Sequence, residues 1–271
     1  MQERSSTEEN MPFPESPRVF YGKNPLEEVV AQLRFPPILR VQAETPAPFQ
    51  EKIRDAFPLY GRPAALSGLS LPMPLSIPPE LMQLIAGGTQ PAHEFRSADR
   101  VWTLTLNRDF LALSTTTYTK WSEFRDQLAK PFAALREIYT PAFFTRIGLR
   151  YRDRIDRKKL GLEGVPWTEL LNRQVLGELA DPNIGPNVEH MLREIIIRLA
   201  ADEGRVRVVH GLEQAGQHYV IDADFFIEGQ IETGAAQNVL DSYNRRAGRL
   251  FRWCIADRLH HAMDPRLATG T

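Results

Sequence analysis

Four arginines at alternating positions, Arg146, Arg150, Arg152 and Arg154, are the densest concentration of chemistry-bearing side chains in the sequence. They share the even phase of residues 145–155 with Gly148, while Ile147, Leu149 and Tyr151 hold the odd phase. A strand has period two, so this segment is expected to present a row of guanidiniums on one face and an apolar set on the other. A guanidinium is a planar fork of donors that grips phosphate or carboxylate through two bonds, so the row suits a polyanion or an acidic protein surface. It equally suits internal pairing with Glu194, Asp222 and Asp224 of neighbouring strands, each opposite-charge pair stabilising a sheet by about 0.2–1 kcal/mol. A second basic stripe, Arg245, Arg249 and Arg252, recurs at four and three residues, with Arg246 and Arg258 nearby. That spacing places it on one helical face, as a solvated surface or as a groove wall meeting the first row on a shared polyanion.

Other candidate chemistry is thinner. Asp222 and Asp224 share a strand face at about 7 Å, a separation that paired acids or two-metal sites use and that a solvent-facing row also shows. His210 and His218 flank a turn where two imidazoles and an aspartate could gather round a divalent metal, though no third ligand has diagnostic spacing. His260 and His261 suit the negative end of a helix. Glycine-rich phosphate loops, a nucleophile elbow and zinc-protease helices are missing from the sequence. No catalytic residue, metal or cofactor is therefore assigned. A single cysteine, Cys254, allows neither an internal disulfide nor a thiolate zinc cluster. Phe143, Phe144, Phe225, Phe226, Trp102, Trp121, Trp167 and Trp253 mostly occupy apolar phases, where they read as core and not as stacking platforms.

The elements that must position these groups follow from hydrophobic period. Residues 28–35 alternate as a strand that Pro36 and Pro37 end, and Phe49, Ile53 and Phe57 form a helical stripe stopped by Pro58. Residues 61–91, rich in Pro, Gly, Ser and Leu, read as an irregular connection with a helical turn at 79–85. Strand-like runs at 93–97, 101–106 and 110–116 form a meander, followed by a helix from the candidate cap Thr119 through Ile138. The order then recurs: the Arg-bearing strand, a helix at 166–176, strands at 194–199, 205–210 and 218–227, and a helix from about Gly234 to His261. The expected fold is α+β with two pseudo-repeated lobes, each an antiparallel sheet packed on its long helix. Their bounds are 19–142 and 143–265, after a polar, acidic arm over 1–18 and before a tail at 266–271.

The 271 residues carry 33 basic and 34 acidic side chains, so no global field draws the protein to nucleic acid or to an anionic membrane. The N-terminus lacks an apolar signal core and no apolar run of about 18 residues exists, so a cytoplasmic protein with no membrane partner is expected. Three stretches, YGKNPLEEVVAQLRF at 21–35, YTKW at 118–121 leading to RIGLRYRDRI at 146–155, and VLDSYNRRAGRLF at 239–251, resemble a sporadically distributed bacterial family of uncharacterised proteins of about this length. The resemblance implies a bacterial, cytoplasmic protein, and patchy occurrence of this kind fits accessory systems such as defence or toxin neutralisation. It transfers no catalytic residue, and Tyr243 stands where the family pattern leads one to expect His. The expected function is a non-enzymatic binding or assembly subunit engaging a protein, or else a nucleic acid, through its Arg-rich faces. A homodimer is a further expectation, and the alternative is an enzyme with a site between the lobes built from arginines and Asp222 or Asp224.

Overall fold

Alternation at the first predicted strand becomes β2 (Leu26–Arg34) in the computed structural model, which describes residues 12–61, 92–200, 203–213 and 216–267. The expected helical turn at 79–85 lies outside the described residues. Chain contacts divide the described residues into two units, one made of Glu28–Gly148 with Glu228–Gln237, the other of Leu149–Ile227, Asn238–Thr271 and the segment through Glu27. Helices and antiparallel ladders are mixed in both, so the α+β class holds.

In the unit built on Glu28–Gly148, β1 (Val19–Tyr21) having preceded it in the chain, β2 is followed by α1 (Leu39–Ala43), α2 (Ala47–Ile53) and β3 (Leu59–Gly61). The meander then runs as β4 (His93–Arg96), β5 (Trp102–Asn107) and β6 (Phe110–Thr115), and α3 (Trp121–Ile138) closes the unit's helical layer. The strand order is β3-β4-β5-β6-β2, with the start of β7 (Phe144–Asp156) beside β2. Trp102, Leu104 and Leu106 of β5 are buried at alternate positions, as the period-two pattern requires. Phe124 of α3 lies 5.5 Å from Trp102 and Phe132 lies 6.0 Å from Phe144, so the predicted apolar stripe of α3 is its packing face. The helix begins one residue beyond the expected cap: Lys120 is the N-cap residue and Thr119 bonds Glu123 through its hydroxyl instead.

In the other unit β7 continues into α4 (Arg157–Leu160), α5 (Trp167–Leu170) and α6 (Arg173–Leu176), then β8 (Met191–Arg198), β9 (Arg205–Glu213) and β10 (His218–Ile231). After these come α7 (Ala236–Cys254), α8 (Asp257–Ala262) and β11 (Pro265–Leu267). The strand order is β7-β10-β9-β8, with β8 terminal, and β11 pairs antiparallel with β1 in a separate two-stranded sheet. Packing begins earlier in the chain than Val19, because Phe13 is buried 5.8 Å from Trp253. Gly211 permits the close approach of β9 to β8, since at its φ of 156° a Cβ would stand 1.8 Å from the Met191 carbonyl oxygen.

Two helices expected to be continuous are broken, and the breaks satisfy one another. Between α7 and α8 the Asn172 side chain donates to the carbonyls of Trp253 and Ile255, both at 2.9 Å. The backbone N–H of Asn172 reaches the Cys254 carbonyl and that of Ala256 the Leu170 carbonyl, each at 2.9 Å. The helix expected at 166–176 is interrupted at Leu171 and Asn172 by the same bonds, with Leu171 bridging Ile255. Nothing in the hydrophobic period reports such a pairing, which replaces lost helical bonds by bonds between segments far apart in sequence.

Candidate functional site

Strand β7 spans the predicted Arg segment, and its alternation sorts the side chains as period two demands. On the even face the arginines meet carboxylates. Arg150 holds Asp222 in a bidentate pair, Nε to Oδ1 at 2.7 Å and Nη2 to Oδ2 at 2.6 Å, with both side chains buried. Arg152 bonds Glu27 and reaches Glu213 at 3.5 Å. Arg154 bonds the same Glu27 at 3.2 Å and contacts His218 Nδ1 at 3.4 Å, while His218 Nε2 lies 3.3 Å from Asp156. Asp156 also caps α4 by accepting from the backbone N–H of Lys158 and Lys159. Burial pushes the Asp156 carboxyl up, but those N–H groups and His218 together hold it below the ordinary carboxylate range.

Arg146 stands apart from this group. It belongs to the unit of Glu28–Gly148 and donates to Gln32 Oε1 at 3.0 Å. Gly148 makes that reach possible, because a Cβ there would stand 2.3 Å from the Arg146 guanidinium. Of the three carboxylates expected as partners, Asp222 is one; Glu194 is instead held by Arg207 at 2.9 and 2.8 Å. Glu27, Glu213 and Asp156 were not expected, since Glu27 lies more than a hundred residues away and no local spacing reports it.

The odd face carries Tyr151, Asp153 and Ile155, all buried. Asn244 of α7 donates to Tyr151 Oη at 2.6 Å and Arg18 in turn bonds Asn244, so α7 packs on this face. Asp153 sits among these groups, where burial and then the nearby charges of Asp222 and Glu27 drive its carboxyl well above the usual range. The same burial raises the Tyr21 hydroxyl to about 12 and pushes the Cys254 thiol far up, so neither is a nucleophile at neutral pH. The sequence does carry a signal for Asp153: an acid in the phase otherwise held by Ile147, Leu149, Tyr151 and Ile155.

Because α7 covers the odd face, its basic stripe cannot join the even-face row; the alternative of convergence on one polyanion fails because the sheet lies between the two sets. Arg249 reaches Glu15 at 3.3 Å, Arg252 bonds Asp257 and the Ile255 carbonyl, Arg258 bonds Glu169, and Arg246 is buried against Glu203. Arg245 is exposed to solvent. His210 and His218, weighed from the sequence as a minor metal-site alternative, are also separated. His210 is the cross-strand partner of Ile221 and His218 of Glu213, which sends their side chains to opposite faces. No group of three or more metal-ligating side chains occurs among the described residues.

His210 has a different role. The Tyr219 hydroxyl donates to the Val175 carbonyl at 3.0 Å, so its oxygen accepts from Nδ1–H of His210 at 2.7 Å. Burial, with Arg193 adding to it, lowers the His210 imidazole to about 4 and keeps it neutral.

What the arrangement can do is therefore constrained. Both Asp222 oxygens are committed to Arg150, which makes that carboxylate a counter-ion and not a base. Exposed apolar side chains include Leu39, Ile184 and Leu267, and at the end of the sheet Ile195 and Ile196 of β8, which are 37% and 60% exposed with Arg198 and Arg205 beside them. No helix among the described residues is long and apolar enough to cross a membrane. No family model matches the sequence, and no curated protein matches it either.

Proposed function

We propose that this chain is a non-enzymatic binding and assembly protein, an accessory subunit that engages a protein partner. The observation that carries the proposal is the fate of the arginine charge. Arg150, Arg152 and Arg154 are neutralised by Asp222, Glu27 and Glu213, so the even face of β7 is a structural network and offers little net charge to a polyanion. One open surface, at the end of the sheet, combines exposed isoleucines of β8 with Arg198 and Arg205, the mixture of apolar centre and Arg rim that protein interfaces favour. Both units share an element order of one strand, short helices, a meander and a long helix, with the first strand beside the last strand of the meander in each, although one meander carries the additional strand β3. That order supports a duplicated scaffold, and scaffolds of this kind suit assembly. The family resemblance adds a setting in the bacterial cytoplasm, in a defence or toxin-neutralising system.

Affinity capture of the tagged full chain at physiological salt tests the reading, with the eluate divided between mass spectrometry and nucleic-acid quantitation. A protein recovered with the wild type and lost with Ile196→Asp is expected. A nuclease-sensitive eluate, or equal recovery by the variant, overturns it.

A further inference from the structure

The terminal strand β8 carries a surface that the rest of the fold leaves unused. Being last in the order β7-β10-β9-β8, it exposes one row of backbone N–H and C=O groups that no further strand among the described residues pairs. Glu194, Ile195 and Ile196 are consecutive and exposed, Ile196 at 60% on the open face and Ile195 at 37% on the more covered one. Fold-preserving edges are usually blunted by Lys, Pro or a bulge, whereas β8 reads MLREIIIR with three successive isoleucines. Its last residue adds a second anomaly. Arg198 stands directly opposite Arg205 in the ladder with β9, a like-charge pair that disfavours the sheet unless an anion is supplied.

We infer that β8 pairs antiparallel with β8 of a second copy of this chain, in the register that sets Ile196 opposite itself. The inference rests on the binding reading above and names its partner. In a twofold antiparallel ladder centred on Ile196, Ile195 faces Ile197 twice and Glu194 faces Arg198 twice. Glu194, which already pairs with Arg207 of its own chain, is then shared with Arg198 of the other copy, where its charge offsets Arg205, and the exposed Ile196 side chains cover one another. Centring the ladder on Ile195 instead sets Glu194 opposite Ile196 and Arg193 opposite Ile197, which loses both Glu194–Arg198 pairs, so the charges favour the register centred on Ile196. The two four-stranded ladders become one continuous sheet across the axis, with no exposed edge at β8.

Light scattering after size exclusion tests this on the full chain across roughly 1 to 100 µM, a range that resolves micromolar association. The wild type is expected at twice the chain mass. Ile196→Asp, Glu194→Arg and Arg198→Glu are each expected to be monomeric with unchanged circular dichroism. Mixing the Glu194→Arg and Arg198→Glu proteins one to one restores the dimer, because each then offers the other the opposite charge at both pairs. A monomeric wild type, a dimer unaffected by Ile196→Asp, or a mixture that stays monomeric overturns the assignment. A monomeric wild type that still captures a different protein through Ile196 removes the second copy while leaving the binding reading intact.

Discussion

Asp222 and Asp153 are buried carboxylates of the same unit, yet their surroundings give them opposite roles. Asp222 has a bidentate guanidinium, and removing its charge leaves Arg150 buried without an anion. Asp222→Asn is therefore expected to cost about 3–5 kcal/mol in denaturant unfolding, whereas replacing both partners by Leu and Met is close to neutral. Burial and neighbouring negative charge raise the Asp153 carboxyl and so favour its protonated form. A raised carboxyl in the folded state means that stability is lost as pH rises above the unfolded carboxyl range, so Asp153→Asn should raise the urea midpoint at pH 7 and flatten its dependence on pH. For His210 the sign is reversed. Its imidazole falls from an ordinary 6.5 to about 4 on folding, so its contribution is complete above pH 6.5 and disappears as pH falls toward 4. Urea unfolding at pH 7 and at pH 4 should show about 3 kcal/mol of loss from this group, and His210→Phe should remove that part of the pH dependence. The arginine alternation was legible at this scale because period two is a local property. The partner of each arginine was not, since Glu27 and Asp222 approach β7 only through strand pairing.

Elements were legible where their period was long and unbroken, as in α3 and the two meanders. They were misread where tertiary bonds replaced helical ones. Residues 234–261 carry an apolar stripe suited to one helix, but the carbonyls of Trp253, Cys254 and Ile255 are taken by Asn172 and its backbone. Asn172→Ala removes two of these bonds and is expected to cost about 1–3 kcal/mol, with loss of hydrogen-exchange protection at Ala256 and Asn172 before the rest of α7. Equal protection throughout α7 in the variant would show that the break between α7 and α8 is set by the local sequence alone. Residues 265–267 were also beyond reach, because a strand of three residues such as β11 has too short a pattern to register until β1 lies beside it.

For the whole molecule the balance of 33 basic against 34 acidic side chains has a consequence once the pairs are placed. Arginines that are neutralised in place release few counter-ions from a phosphate backbone. Fluorescence anisotropy with labelled duplex DNA or single-stranded RNA should therefore give no saturable binding below about 10 µM at 150 mM salt, with Arg245→Ala no different from wild type. Submicromolar, salt-steep binding would return the polyanion reading to first place. By itself the sequence determined the α+β class, the meanders, and a strand with its guanidiniums on one face, because alternation and helical period are written within a few residues of each other. Only the tertiary structure decided that those guanidiniums are neutralised from within, that the second Arg stripe lies across the sheet from them, and that β8 ends the sheet. Charge pairing, face and edge depend on which strands become neighbours, and that is settled by contacts between residues far apart in the chain.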